Sequence, residues 1–354
     1  MGRGLQFIYL LTLLLLFMIS LKSVDSKCVL FNFGDSNTDT GELAAGLGAY
    51  VSPPNGRLFF NLPAGRFCDG RLYNDFICES LEVNFLSPYL ESSGSDFTDG
   101  VNFALAGAAT EFRDRFPFPL PTQVNQFLHF KNRTRELRPL GKGSMISEEE
   151  FQTAVYSIDI GQNDIGISFA ANLSYTQVIN KIPSILSRIR DSMETIYESG
   201  GRKFWIYNTG PLGCLPQTLV LRKKNDSVLD SFGCLEEYNN ASKVFNVGLS
   251  DLCDELRSNF TNATVVYIDK YSIRYDLVAN HTKYGFEDPL MACCGYGGPP
   301  YNFKDDQRCG AQGTSACSLE SRYISWDGIH NSEAANEIIA AKILSASILS
   351  LKLS

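Results

Sequence analysis

Five short runs rich in β-branched and aromatic residues, at 29–33, 101–106, 154–160, 203–207 and 264–268, alternate with segments of helical pattern. The helical segments are 72–81, 122–130, 175–198, 234–257 and 333–351. Strand, helix and strand in succession pack as parallel units with helices on both faces of the sheet. The alternation therefore predicts an α/β protein built on a parallel sheet. Pro183 falls inside the third helical segment and is expected to kink or interrupt it. The last segment carries Ile338, Ile339, Ile343, Leu344, Ile348 and Leu349, broken by Lys342 and followed by Lys352. It reads as a core helix rather than a membrane anchor.

In such sheets ligands bind at the carboxyl ends of the strands. Ser36 follows the first strand, Gly107 the second and Gly161-Gln162-Asn163-Asp164 the third. These loops, far apart in sequence, can therefore meet on one rim. Near the end of the chain stands Trp326-Asp327-Gly328-Ile329-His330. Serine is a weak nucleophile until an imidazole takes its proton, and the imidazole works best when a carboxylate fixes its tautomer. Of the three histidines, His129, His281 and His330, only His330 has a carboxylate three residues upstream, with a glycine between that lets the backbone turn sharply. Plainer roles compete. Asp35, Ser36 and Asp327 all suit helix N-caps, Asn163-Asp164 suits an Asx-turn, and Gly107 suits tight packing.

The 354 residues suffice for one large domain, and no linker divides them. Residues 1–26 read as a secretory signal, with Arg3 before an apolar run and small residues at Val24 and Ser26. An uncleaved Golgi signal-anchor is the alternative. A single domain is expected over 27–354. All ten cysteines follow the signal, which favours disulfides over metal ligation. Most or all are expected to pair. One bridge is expected between Cys214 and Cys234, and at least one within the Gly- and Pro-rich stretch from Cys293 to Cys317. Adjacent Cys293-Cys294 without a nearby His do not fit a zinc site. Sequons stand at Asn132, Asn172, Asn225, Asn240, Asn259, Asn262 and Asn280, a density that suits an ER-processed chain. A formal net charge of −8 argues against nucleic acid and anionic membrane surfaces as partners.

Acyl chemistry also needs donors aimed at the oxyanion of the tetrahedral intermediate. The Ser36 N–H, the Gly107 N–H and the Asn163 side-chain amide are the candidates. The G-x-S-x-G elbow is absent, because Thr38 stands where its second glycine would be. Four ordered blocks do match a known family. They are Phe31-Asn32-Phe33-Gly34-Asp35-Ser36-Asn37-Thr38-Asp39-Thr40-Gly41, Gly100-Val101-Asn102-Phe103-Ala104-Leu105-Ala106-Gly107-Ala108, Asp159-Ile160-Gly161-Gln162-Asn163-Asp164 and Trp326-Asp327-Gly328-Ile329-His330. Through them the chain resembles the plant GDSL esterase/lipases of the SGNH hydrolase superfamily, over nearly all of the segment after the signal. The resemblance implies a flavodoxin-like three-layer α/β/α sandwich with a central parallel sheet. It implies Ser36 as nucleophile, His330 as base and Asp327 as its orienting carboxylate. It further implies an oxyanion hole from Ser36, Gly107 and Asn163, with no cofactor and no metal. Asn37 replaces the Leu of the family's name, Glu42 stands where a second Gly is frequent, and Asn331 follows His330 in place of a more apolar residue.

The expected activity is a secreted serine carboxylester hydrolase acting on a small-molecule or polysaccharide ester, in the extracellular space, the cell wall or the Golgi lumen. Members of this subgroup resemble acetyl esterases of glycosides or polysaccharides, esterases of phenolic choline esters, or lipases. A short acyl group, acetyl above all, is expected, because no apolar stretch outside predicted core elements suggests a lipid-binding lid. An acyltransferase using the same triad, and a secreted carbohydrate-binding glycoprotein with a vestigial site, are the competing readings. No stable membrane insertion is expected, and the oligomeric state is open.

Overall fold

The computed structural model describes residues 27–141, 145–222 and 228–351. The expected signal at 1–26, the sequon at Asn225 and Lys352 lie outside the described residues. Five strands, β1 (Leu30–Gly34), β2 (Gly100–Asn102), β3 (Val155–Asp159), β4 (Lys203–Tyr207) and β5 (Thr264–Ile268), form one sheet in the order β2-β1-β3-β4-β5. Every pairing is parallel. This is the flavodoxin-like doubly wound order, and its switch point lies between β1 and β3. The expected second strand is shorter than 101–106, yet Phe103 and Leu105 continue alongside β1 by donating to the carbonyls of Asn32 and Gly34. That extension carries the chain to the rim where Gly107 stands.

The helices in chain order are α1 (Glu42–Leu47), α2 (Tyr73–Ser80), α3 (Leu120–Leu137), α4 (Glu148–Thr153), α5 (Gln162–Ala170), α6 (Tyr175–Glu198), α7 (Pro216–Arg222), α8 (Glu236–Asn259), α9 (Lys270–Ala279) and α10 (Glu333–Leu351). Side chains alternate across a strand, so each strand feeds two cores. Phe204 and Ile206 of β4 join Phe31, Phe33, Tyr156 and Ile158 beneath α3, α6 and α8. Trp205 and Tyr207 face the other way and pack with Tyr73 and Ile77 of α2, Leu277 of α9 and Ile339 and Ile343 of α10. The last helix is therefore a core helix, as its pattern implies. Among the described residues no helix is long and apolar enough to cross a membrane.

Two expectations are corrected. α6 runs through Pro183, so the interruption, one of the two expected outcomes, does not occur. One proline removes a single ladder hydrogen bond, and the buried Ile182, Ile185 and Ile189 hold the helix against the sheet. The cysteines pair less completely than expected. Cys214–Cys234, Cys293–Cys317 and Cys294–Cys309 are bridged, but Cys28, Cys68, Cys78 and Cys253 are free. Three of the free thiols are buried in separate places and serve as small apolar residues. Cys253 lies in the main core, Cys78 packs with Leu30 and Leu86, and the Cys68 thiol donates to the Arg71 carbonyl at 3.3 Å.

Candidate active site

β1 ends at Gly34, and the chain turns at once into Asp35-Ser36-Asn37. The turn is pinned from both sides. The Gln123 amide of α3 accepts from Gly34 N–H and donates to Gly34 O, each at 2.8 Å. Asp35 Oδ1 accepts the Asn37 N–H at 3.0 Å. Burial and then the nearby Asp159 carboxylate push the Asp35 carboxyl upward. Asp39 accepts from Gly41, Glu42 and Leu43 within its own loop and from Ala106 N–H at 2.7 Å. That last bond ties the loop after β1 to the residue just before Gly107.

Gly107 has φ +82, and a Cβ there would lie 2.5 Å from the ring of Phe116. Only a glycine takes this conformation under that ring without strain. The segment beyond it is anchored by Asp164, whose Oδ1 accepts the Thr110 N–H at 3.0 Å and the Thr110 hydroxyl at 2.6 Å. Asn163, in the first turn of α5, donates its side-chain amide to Ala108 O at 2.8 Å and to Asp35 Oδ2 at 3.3 Å. The three loops expected to converge therefore do so, through buried carboxylates and an amide rather than through apolar contact.

The C-terminal segment approaches from another direction. Asp327 Oδ2 meets His330 Nδ1 at 2.6 Å, and its Oδ1 accepts the N–H groups of Ile329 and His330 at 3.0 and 2.8 Å. Gly328, with φ +94, makes the turn between them. Burial opposes ionisation of Asp327, but the charge of His330 and these hydrogen bonds outweigh it and hold the carboxyl below its ordinary range. The contact through Nδ1 leaves Nε2 for the cavity. The Phe67 ring packs against the imidazole with centroids 5.1 Å apart. Ser36, Gly107, Asn163 and His330 all line one cavity of about 640 Å³.

The disulfide-stapled stretch supports this last segment. Cys293 N–H and Cys294 N–H donate to the carbonyls of Ser325 and Trp326, immediately before Asp327. Trp326 packs on both bridges' cysteines, and its indole N–H donates to Asn55 Oδ1 at 2.8 Å. Behind the turn after β1 lies a buried polar group that the sequence did not signal. Asp159 accepts from the Tyr73 hydroxyl at 2.6 Å and from the buried Lys270 ammonium, beside the buried Arg274. Gln123, Tyr73 and Lys270 sit in helices whose periodicity reports burial and not partners, and Phe67 sits in a loop with no periodicity to read. Asp39 and Asp164 stood inside recognised blocks, where carboxylates aimed at nearby N–H groups are the only available signal. Among the described residues no cluster of three His, Cys, Asp or Glu could hold a metal ion. The described sequon asparagines, Asn132, Asn172, Asn240, Asn259, Asn262 and Asn280, are all exposed.

Comparison with known proteins follows the same lines. The sequence model of the family described as "GDSL-like Lipase/Acylhydrolase" matches residues 30–343. The chain is 53% identical over 327 residues to GDSL esterase/lipase LIP-4 of Arabidopsis thaliana, covering 91% of this chain and 87% of the relative. It is 43% identical to GDSL esterase/lipase ACHE of Zea mays, covering 90% and 85%. It is 40% identical to a protein named Alpha-L-fucosidase 3 of Arabidopsis thaliana, covering 89% of each chain.

Proposed function

Since the chain belongs to the GDSL-like lipase/acylhydrolase family and is a carboxylic ester hydrolase, we propose that it works through Ser36, His330 and Asp327 on short-chain esters, acetyl above all, of a saccharide or glycoside. Ser36 Oγ attacks the ester carbonyl carbon while His330 Nε2 takes its proton. Asp327 holds the ring through Nδ1 and balances the imidazolium. The carbonyl oxygen becomes an oxyanion that receives hydrogen bonds from the Ser36 and Gly107 N–H groups and from the Asn163 amide, whose longer bond to Asp35 is the one exchanged. His330 returns the proton to the departing alcohol. Water then attacks the acyl-enzyme with His330 again as base, releasing the acid and restoring Ser36.

The observation that carries this reading is the shared cavity of Ser36, Gly107, Asn163 and His330, with Asp327 on the far nitrogen of the imidazole. Glycoside cleavage, suggested by the name of one relative, needs two carboxylates flanking the bond. The only Asp or Glu among the described residues lining this cavity is Asp305, and it is paired with Arg308. Acyl transfer to water is therefore the better fit. Export through the secretory route with a single domain over 27–354 is part of the proposal. The segment at 1–26, the exposed sequons and the three bridges support it.

The test compares kcat/KM for p-nitrophenyl acetate and p-nitrophenyl decanoate, with fluorophosphonate labelling of the nucleophile. A clear preference for acetate with labelling at Ser36 is expected. Preference for decanoate would make lipid the substrate, and labelling at another serine would overturn the assignment of the nucleophile.

A further inference from the structure

The cavity's charge runs against that of the chain. The protein carries a formal net charge of −8, yet Arg113, Arg115, Arg222 and Arg308 line the cavity against the single carboxylate Asp305. Asp305 is taken by Arg308. Arg222 donates to Asn172 Oδ1 at 3.3 Å. Arg113 and Arg115 have no carboxylate within salt-bridge distance among the described residues. Both guanidiniums instead lie over the Phe116 ring, at 5.3 and 5.5 Å from its centroid. Phe116 is the ring that covers Gly107, and Arg113 Nη1 donates to Gly107 O at 3.4 Å. A cation held there stands one peptide unit from the proposed oxyanion donor. Arg113 is partly buried, and that burial lowers its proton affinity with only the charge of Asp164 opposing. It is a partly desolvated cation whose nearby carboxylate, Asp164, is not within ion-pair distance.

An arginine pair without a carboxylate presents several parallel N–H donors, the arrangement that takes planar anions in bidentate fashion. On the acetyl reading the acyl group fills a small part of about 640 Å³, so these arginines face the alcohol half of the substrate. We propose that the alcohol half is a carboxylate-bearing saccharide, a uronate, held by Arg113 and Arg115 beside the Phe116 ring. This deepens the ester-hydrolase reading and rests on it. An anionic lipid surface offers the same local charge, but the net charge of −8 repels an extended anionic surface at long range. A soluble uronate meets the cavity alone. The same arginines disfavour a choline ester, whose cation would approach unpaired guanidiniums.

The experiment compares mono-O-acetylated trigalacturonate with its fully methyl-esterified form, in which the carboxylates are neutral and the rings unchanged. Charge-assisted hydrogen bonds predict a kcat/KM advantage of about 10- to 100-fold for the free carboxylate. The advantage should shrink towards unity in the Arg113→Gln/Arg115→Gln double variant. Acetylcholine should be the poorest of the esters. Equal turnover of both saccharides, an advantage that survives the double substitution, or a preference for acetylcholine would each overturn the inference. Faster cleavage of phosphatidylglycerol in vesicles than of the uronate ester would overturn the saccharide assignment. p-Nitrophenyl acetate separates the two levels, because its hydrolysis by the wild-type protein without a uronate preference sinks this inference alone. If no ester is cleaved, the hydrolase reading fails, and calorimetry with unacetylated trigalacturonate still decides the binding claim. Binding weakened by the double substitution supports the claim, whereas binding indifferent to it, or none, rejects it.

Discussion

The carboxylate of Asp164 takes both the backbone N–H and the hydroxyl of Thr110, at 3.0 and 2.6 Å, and so clamps the loop beyond Gly107 onto the helix that presents Asn163. Two candidate oxyanion donors from different strand ends are thereby set relative to each other by one side chain. On the proposed mechanism Asp164 is a positioning residue. Asp164→Ala should lower kcat by about 10- to 100-fold with KM little changed, since small displacements at a reacting centre cost that much. Asp164→Asn, which keeps an acceptor for Thr110, should recover part of the loss. A kcat equal to wild type in Asp164→Ala would remove the clamp from the mechanism.

As the proposed nucleophile and base, Ser36 and His330 are expected to act as a unit. Ser36→Ala is expected to lower kcat by roughly 10³- to 10⁶-fold, and Asp327→Asn by about 10⁴-fold through the wrong imidazole tautomer. Circular dichroism and thermal midpoint should stay near wild type, and fluorophosphonate labelling should vanish in Ser36→Ala. Retained turnover in the serine variant would reject the triad.

Stability should fall as pH rises from mildly acidic to alkaline. Burial pushes the Glu42 carboxyl up to about 8 and the Asp39 carboxyl up to about 6, against about 4 in the unfolded chain. The folded state then holds protons that the unfolded state releases. Its advantage is full below pH about 4 and is lost as pH passes the folded values. Melting temperatures between pH 5 and 8.5 should slope downward. Glu42→Gln, which keeps an acceptor for the Leu90 N–H, should flatten the alkaline part of the slope. An unchanged slope in that variant would assign the effect elsewhere.

The stapled stretch should matter for rate as well as stability. Removing the Cys294–Cys309 bridge, which spans a sequence separation of 15, is expected to cost about 3 kcal/mol in a Cys294→Ala/Cys309→Ala variant. Because Cys294 N–H holds the Trp326 carbonyl, kcat should fall at temperatures where the variant is still folded. A loss of midpoint with kcat intact would confine the bridge to stability.

The strand at β1 and the helix at α6 were legible because their signals are local. A run of apolar residues, a Ser at an N-cap and a period near 3.6 report burial without reference to any partner. α1, α4, α5, α7 and α9 went unread because they are short or carry polar faces that point inward. Lys270 of α9 is buried only because Asp159 is there to meet it. The free thiols show the same limit. An even cysteine count says that pairs can form, but Cys253 is packed among core residues where no other cysteine joins its cluster.

The sequence by itself determined the order of the five strands and of five of the ten helices, the parallel sheet that follows from it, and the short list of residues able to do acyl chemistry. Each depends on neighbours a few positions apart, where backbone geometry and side-chain period act directly. Only the tertiary structure decided that Gln123 grips Gly34, that Asp39 reaches Ala106, that Asp164 holds Thr110, and that four arginines from three separate segments line one cavity in an acidic protein. Those contacts join residues far apart in the chain. A buried polar group must find its partner wherever the packed sheet and helices place it, and no local pattern records that place.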